Sequence, residues 1–598
     1  MSIQSSAAGV TWNLSDLYQG IDDPAIGADL ERLAARAKGF SQHRGALAGG
    51  TLTGSGLAAA LTELEAIYEG IGLASAFAGL AFAGDTSDPA RGALEVKVRE
   101  TATAIRADVL FFELEWASLE DDAAAAHMAH AELARYRHFL ETERAFKPYR
   151  RAEGEEQILD LKANTGSQAF ARLFDETLAR MRFTVELPAG PGEMSEEEVL
   201  SLLYDADRDT RKAGADALSR GLTDNGHLLT YVFNTLVADH ATDDHIRAFP
   251  GPMAARNLAN EITQDSVDAL LATADGGADL VQDYYRIKKQ LLGLDTLYDY
   301  DRYAPVGEAG HIPFAEAKEI VLDSFGAFSP KMADIARLFF DNGWIDAEVR
   351  EGKRGGAFAH PVVPSKHPYI LLNYMDRPRD VMTLAHELGH GIHQWLARDC
   401  GYFGGNTPLT TAETASVFGE MLVFSALKDR ETDPEKSLAL LCGKLEDTFA
   451  TVFRQTVMTR FEQKLHAARR GEGELAPDRI DTLWMEANRP MFGDALTLRD
   501  DYASWWRYIP HFVHTPFYCY AYAYGELLVL SLYARYLEQG EAFVPRYLAL
   551  LAAGGTDRPE KLLAPLGVDI TAPDFWGGGV EIIRGWVRQA QEIVDPRG

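Results

Sequence analysis

Through most of this chain apolar residues recur three and four positions apart with charges between them, a spacing that suits burial of one face of a helix. Ala58 to Leu73, Ala90 to Leu119, Ala129 to Leu140 and Ile158 to Met181 all carry it, and a helix is predicted over each. Gly84-Asp85 and the stretch from Pro188 to Gly192 supply turn chemistry between helices. Ser195 followed by three glutamates is a helix-start signal, so a further helix is predicted over Ser195 to Leu203. Two segments break the pattern. Leu297 to Val306 and Pro368 to Tyr374 are aromatic, bounded by Pro or Gly, and β-prone. Lys353 to Phe358 between them reads as a backbone turn, and from Val381 onward long helices return. The expected fold is therefore mainly α, with a small β-sheet next to the active site. A soft boundary near residue 190 separates an N-terminal helical lobe, 1–190, from a larger region, 191–598, that holds the chemistry described below.

Composition narrows the function classes. Apolar residues make up 46% of the 598 positions, enough for a large core. A formal charge of −31, from 58 basic and 89 acidic side chains, repels nucleic acid and anionic membrane, so neither is an expected partner. Three scattered cysteines, Cys400, Cys442 and Cys519, form no disulfide framework and fit a reducing compartment. Met1 to Val10 lacks a basic segment followed by an apolar one, so no secretion signal is expected. The apolar run Gly70 to Gly84 falls short of the roughly 20 residues a bilayer requires and reads as a buried helix. Together these point to the cytoplasm.

The densest chemistry lies in Leu384 to Trp395, where His386, Glu387 and His390 form an H-E-x-x-H pattern. On a helix, residues four apart share a face, so the two imidazoles can meet one ion while Glu387 reaches a water beside it. Two neutral imidazoles and a carboxylate suit zinc, which keeps a fourth position open and makes its water acidic. A pair of plain core histidines is the alternative, but it leaves three polar side chains buried without a cation. A further histidine at the metzincin spacing is absent, because Leu396 stands there. The third ligand then comes from Thr410 to Glu420 (TTAETASVFGE), where Glu413 and Glu420 are seven apart, on one face of a predicted second helix. Glu413 is the expected ligand and Glu420 the residue that orients an imidazole through its free nitrogen. His393, three residues after His390, takes an outer or substrate-side place, or is simply a buried histidine. The segment His511 to Tyr524 (HFVHTPFYCYAYAY) is dense in aromatics; it could pack a core or aim donors at an oxyanion.

With these motifs in hand, the chain resembles the M3 family of metallopeptidases, in the oligoendopeptidase F branch. The resemblance runs from Trp12 to Tyr18 (WNLSDLY) through Asp207 to Asp216, the helix with Asn234, and PYILLNY. It continues through HELGHGIHQ, Gly404 to Thr411 and AETASVFGE to HFVHTPFYCYAYAYGE. It implies a helical, bowl- or clam-like fold with a deep groove, and one zinc held by His386, His390 and Glu413, with Ser416 completing the glutamate segment. It also implies cleavage of short unstructured peptides, with His511, Tyr518 and Tyr520 on the substrate side and His514 without an assigned role. The expected mechanism lays an extended peptide along Tyr369 to Tyr374, with Tyr369 and Asn373 in contact with it. Glu387 takes the proton of the attacking water, and His511 or Tyr520 helps to hold the oxyanion. A zinc carboxypeptidase of related helical fold and a peptide-binding protein without chemistry are the rivals.

Overall fold

The computed structural model describes residues 5–187, 190–307 and 310–595. The chain forms two compact units that interleave along the sequence. The first gathers Met1–Pro148, Gly310–Arg430 and Leu532–Asp569; the second gathers Tyr149–Ala309, Glu431–Ser531 and Ile570–Gly598. Residue 190 lies inside the second unit. Both units are built mainly from helices.

In the first unit, α1 (Gly54–Gly84) and α2 (Pro89–Ser118) start at side-chain caps. Thr53 Oγ1 accepts the Gly56 N–H at 3.1 Å, and Asp88 accepts the Ala90 N–H at 2.8 Å with Pro89 at the first helical position. α1 joins the predicted helix Ala58 to Leu73 and the apolar run to Gly84 into one element. By length and composition it could cross a membrane, but 50% of its most apolar window is buried within the protein. The helix expected over Ala129 to Leu140 is instead a 3-10 turn, Ala131–Tyr136, followed by an α-helix, Arg137–Ala145. The tighter turn sets Arg135 and Tyr136 on buried Glu65, at 2.7 and 2.8 Å.

The small sheet also belongs to this unit. It consists of β1 (Ile345–Asp346), β2 (Phe358–His360) and β3 (Tyr369–Leu371), in the order β1-β3-β2. β3 runs parallel to β1 and antiparallel to β2, so its backbone is occupied on both sides. The outer edge of β2 carries no strand among the described residues. The turn expected over Lys353 to Phe358 is pinned by the buried side chain of Lys353, whose ammonium pairs with Asp346 at 2.7 Å and donates to the Leu372 carbonyl at 2.7 Å.

Next comes α3 (Pro378–Ala397), started by Pro378 and by Asp380, which accepts the backbone N–H groups of Met375 and Arg377 at 2.8 and 3.0 Å. Its buried side carries Val381, Leu384, Leu388 and Ile392. It packs on α4 (Ser416–Arg430) at backbone distance. A Cβ on Gly389 would lie 2.4 Å from the Ala415 carbonyl oxygen, and one on Gly419 would lie 3.0 Å from that of Ala385. Only glycine permits that approach.

In the second unit the helix expected over Ile158 to Met181 is two helices, Glu153–Ala163 and Ser167–Arg180, with a break at Asn164 to Gly166. The turn expected over Pro188 to Gly192 lies partly outside the described residues; Gly190–Met194 is a strand, paired antiparallel with Phe183–Leu187. Ser195 caps Glu196–Leu202, and Glu198 returns a bond to the Ser195 N–H at 2.7 Å. The β-prone segment Leu297 to Val306 makes one isolated bridge, Tyr298 with Thr497, and a 3-10 turn over Asp299–Asp301. Its two fully buried aspartates explain the difference. Asp301 is held by Arg208 and Arg211 and Asp299 by Arg499, at 2.7 to 3.0 Å, a geometry a regular ladder would not provide.

Candidate metal centre

One helical turn apart on α3, His386 and His390 bring their Nε2 atoms to 3.1 Å from each other. Glu413 Oε2 stands 3.4 Å from each of them. Two ligands of a tetrahedral zinc, each about 2.0–2.1 Å from the metal, lie about 3.3 Å apart, so these three atoms outline one face of such a tetrahedron. Glu413 does not ride on the second helix as expected. It lies in the turn Glu413 to Ala415 that links the short helix Leu409–Ala412 to α4. There the Ser416 hydroxyl donates to Glu413 Oε2 at 2.7 Å and aims it. The glycine contact between α3 and the Ala415 carbonyl brings this turn within reach of the imidazoles.

The surroundings favour positive charge. His386 Nδ1–H donates to Glu420 Oε1 at 2.6 Å, which leaves the lone pair on Nε2 facing His390 and Glu413. Burial pulls the His386 pKa down, but the hydrogen bond and charge of Glu420, then the charges of Glu413 and Glu387, lift it to about 9. Burial also holds His390 below its usual range, against the pull of Glu413. Three carboxylates around two imidazoles make a site that a divalent cation completes.

Glu387 is 5% exposed, and burial raises its carboxyl to about 7, with His386 opposing and Glu413 and Glu420 adding to the rise. The Ala359 N–H of β2 donates to it, while its Oε2 is buried without a hydrogen-bond partner among the described residues. An orphaned buried oxygen beside two imidazoles fits a site that takes a metal and a water. These groups line a cavity of about 350 Å³ together with Phe358, Ala359 and His393. His393 is 6% exposed, and burial drives its pKa to about 4, so a neutral imidazole faces this cavity.

The remaining expected residues are placed differently. Tyr369 is fully buried and its hydroxyl donates to the Asn13 carbonyl at 2.7 Å. The Asn373 amide is taken by the carbonyls of Arg354 and Gly356, at 3.1 and 3.0 Å. With Tyr369–Leu371 paired on both sides, the outer edge on this side of the sheet is that of β2. In the second unit Tyr520 is also fully buried: its hydroxyl donates to Asn257 at 2.8 Å and accepts from Asn260 at 2.9 Å. Such a phenol has no donor left for a substrate. The accessible group in that segment is His511, Tyr518 and Tyr522, with His511 Nε2 3.4 Å from the Tyr522 hydroxyl. Tyr522 was not singled out in the sequence, because one tyrosine in an alternating run carries no mark of which face it shows. His514 pairs with Asp175 at 2.7 Å.

Comparison with known proteins assigns the chain to a family. The sequence pattern of peptidase family M3 matches residues 201–581, and that of oligopeptidase F matches residues 115–183. Oligopeptidase PepF of Bacillus subtilis is 26% identical over 571 residues, which is 94% of this chain and 84% of that one. A crystal structure of a peptidase candidate from Chlamydophila abortus shares the fold with a TM-score of 0.90 at 22% identity, over 99% of this chain and 100% of that one. Oligoendopeptidase-F from Enterococcus faecium does so with a TM-score of 0.70 at 22% identity, over 96% and 99%. The chain belongs to peptidase family M3, and it is a metalloendopeptidase of the oligoendopeptidase F type.

Proposed function

We propose that this chain is a zinc-dependent oligoendopeptidase that hydrolyses internal bonds of short, unstructured peptides in the cytoplasm. The observation that carries the reading is the triangle of His386 Nε2, His390 Nε2 and Glu413 Oε2, with the unpartnered oxygen of Glu387 beside it. An N/N/O donor set of this size favours one zinc per chain, held by His386, His390 and Glu413. When bound, the ion supplies Lewis acidity to water and to the scissile carbonyl.

The chain's own groups do the rest. Glu420 fixes the ring of His386 and its tautomer. An extended peptide lies along the outer edge of β2, which carries no strand among the described residues, and meets the Ala359 carbonyl there, since the Ala359 N–H is held by Glu387. Glu387, anchored by the Ala359 N–H, receives the proton of the attacking water at Oε2 and passes it to the leaving amine. A carboxyl poised near 7 can accept and release a proton at neutral pH. Within the second unit His511 and Tyr518 keep accessible rings, whereas the Tyr520 hydroxyl is already held by two asparagines.

A quenched peptide blocked at both ends tests the reading. Cleavage is expected for wild type, and Glu387→Gln is expected to keep its zinc while losing at least about a thousandfold in kcat. Normal turnover by zinc-loaded Glu387→Gln, or cleavage only of peptides with a free C-terminus, would contradict it.

A further inference from the structure

Beyond the metal centre, α3 continues as a ruler. His386, His390, Gln394 and Arg398 follow one another at four-residue intervals along one side, and Arg398 lies just past the helix end. From His390 to Arg398 the axis advances about 12 Å, which an extended peptide spans in three to four residues. At that distance the first unit holds a second cavity, about 280 Å³, that shares Gln394 and Gly405 with the metal cavity. In a chain with a charge of −31, its lining is basic: Arg106, Lys366 and Arg398 all contribute.

These cations are held in place without being neutralised. Arg398 stacks 3.8 Å over the Trp395 ring and donates to the Trp395 carbonyl at 2.9 Å. The Lys366 ammonium donates to the Asp16 carbonyl at 2.6 Å, and Arg106 bonds the Tyr402 hydroxyl. Among the described residues, the one carboxylate within ion-pairing reach of any of them is exposed Asp399, 3.9 Å from Arg398. Glu69 accepts the Ser365 N–H at 3.1 Å. One neutral donor faces the same space. His360 Nδ1 accepts the N–H of Val362, a residue held at φ 62°, so the ring's own N–H is on Nε2. Gln394 donates from Nε2 to the Ala359 carbonyl at 3.4 Å, and its buried Oε1, an acceptor, has no partner among the described residues.

We propose that this cavity is a carboxylate subsite, which selects peptides bearing a negative charge three or four residues from the bond to be cut. The assignment rests on the peptidase reading above and names the substrate class for it. β2 gives the direction. Phe358 and Ala359 line the metal cavity, while His360 and the following Pro361 and Val362 line the basic one. A peptide added antiparallel to β2 therefore carries its N-terminal side over the cations, where an Asp or Glu side chain supplies the carboxylate. A peptide added parallel brings its C-terminal carboxylate there instead. Antiparallel addition makes the acidic side chain the expected source.

The test uses zinc-loaded protein and quenched peptides, acetylated and amidated, that differ only by Glu or Gln walked across positions four before to four after the cut. Glu at the third or fourth position before the bond is expected to raise kcat/KM about tenfold over Gln, through KM, and the ratio is expected to shrink in 0.5 M salt. In Arg398→Met and, separately, Lys366→Met, the ratio falls towards one while the Gln peptide changes less than about twofold. If the gain comes instead from replacing the terminal amide by a free acid three or four residues after the bond, the subsite stands and takes the C-terminus. Equal rates for Glu and Gln and for acid and amide in wild type, or a preference that survives both substitutions, would overturn the proposal. Cleavage of the neutral peptide reports separately on the peptidase reading. Should no peptide be cut, binding of the same labelled peptides by fluorescence anisotropy reads the Glu/Gln ratio without turnover.

Discussion

A carboxylate buried at 5% exposure costs free energy unless something nearby wants its charge, and Glu387 has imidazoles on either side of it in sequence for that purpose. Glu420 does a different job. It never faces the proposed ion; it holds His386 at 2.6 Å in the tautomer that presents Nε2. Glu420→Gln is therefore expected to weaken zinc binding about 10–100-fold, with turnover returning as free zinc is raised. Competition with a fluorescent chelator measures it, and unchanged affinity would contradict the orienting role. At this scale the sequence was most legible where the chemistry is local. His386, Glu387 and His390 declare themselves by spacing alone. Tyr520 and Tyr369 could not, because each owes its place to a residue far along the chain: Asn257 and Asn260 for the first, Asn13 for the second.

Between elements, the deciding contact is the glycine seam of α3 and α4. Gly389→Ala would drive a methyl to 2.4 Å from the Ala415 carbonyl, so the turn carrying Glu413 must move. The expected cost is about 1–3 kcal/mol of stability together with looser metal binding, read by thermal unfolding and by zinc titration. A variant as stable and as tight as wild type would show that the close approach is incidental. Periodicity found most of the helices but misplaced several ends. Ala131–Tyr136 tightened into a 3-10 turn as Tyr136 and Arg135 met Glu65, and Glu413 fell into a turn because the seven-residue interval to Glu420 spans a break. The sheet was foreseen, but not which strand is central. Strand order depends on Ile345–Asp346, two residues too short to announce themselves. The carboxylate cavity was equally hidden, since Arg106, Lys366 and Arg398 come from three separate stretches.

Over the whole molecule, buried acids set how stability follows pH. Glu462 is 1% exposed, accepts the Phe517 N–H at 2.7 Å, and leaves Oε2 without a partner among the described residues. Burial lifts its pKa from 4.5 to about 8, against smaller pulls from the Phe517 N–H and Arg256. The folded chain thus binds this proton more tightly than the unfolded one, so its contribution to stability is lost as pH rises from about 4.5 through about 8. Glu462→Gln removes that loss, and its thermal midpoint is expected to gain on wild type between pH 5 and pH 8.5. A constant difference across that range would contradict the assignment. The account as a whole depends on three side chains closing on one ion, and metal content measures that most directly. Elemental analysis after gel filtration is expected to find about one zinc per chain in wild type and far less in Glu413→Ala and His390→Ala, although both remain folded. Equal zinc in all three proteins, or full peptide cleavage by metal-free wild type, would contradict it.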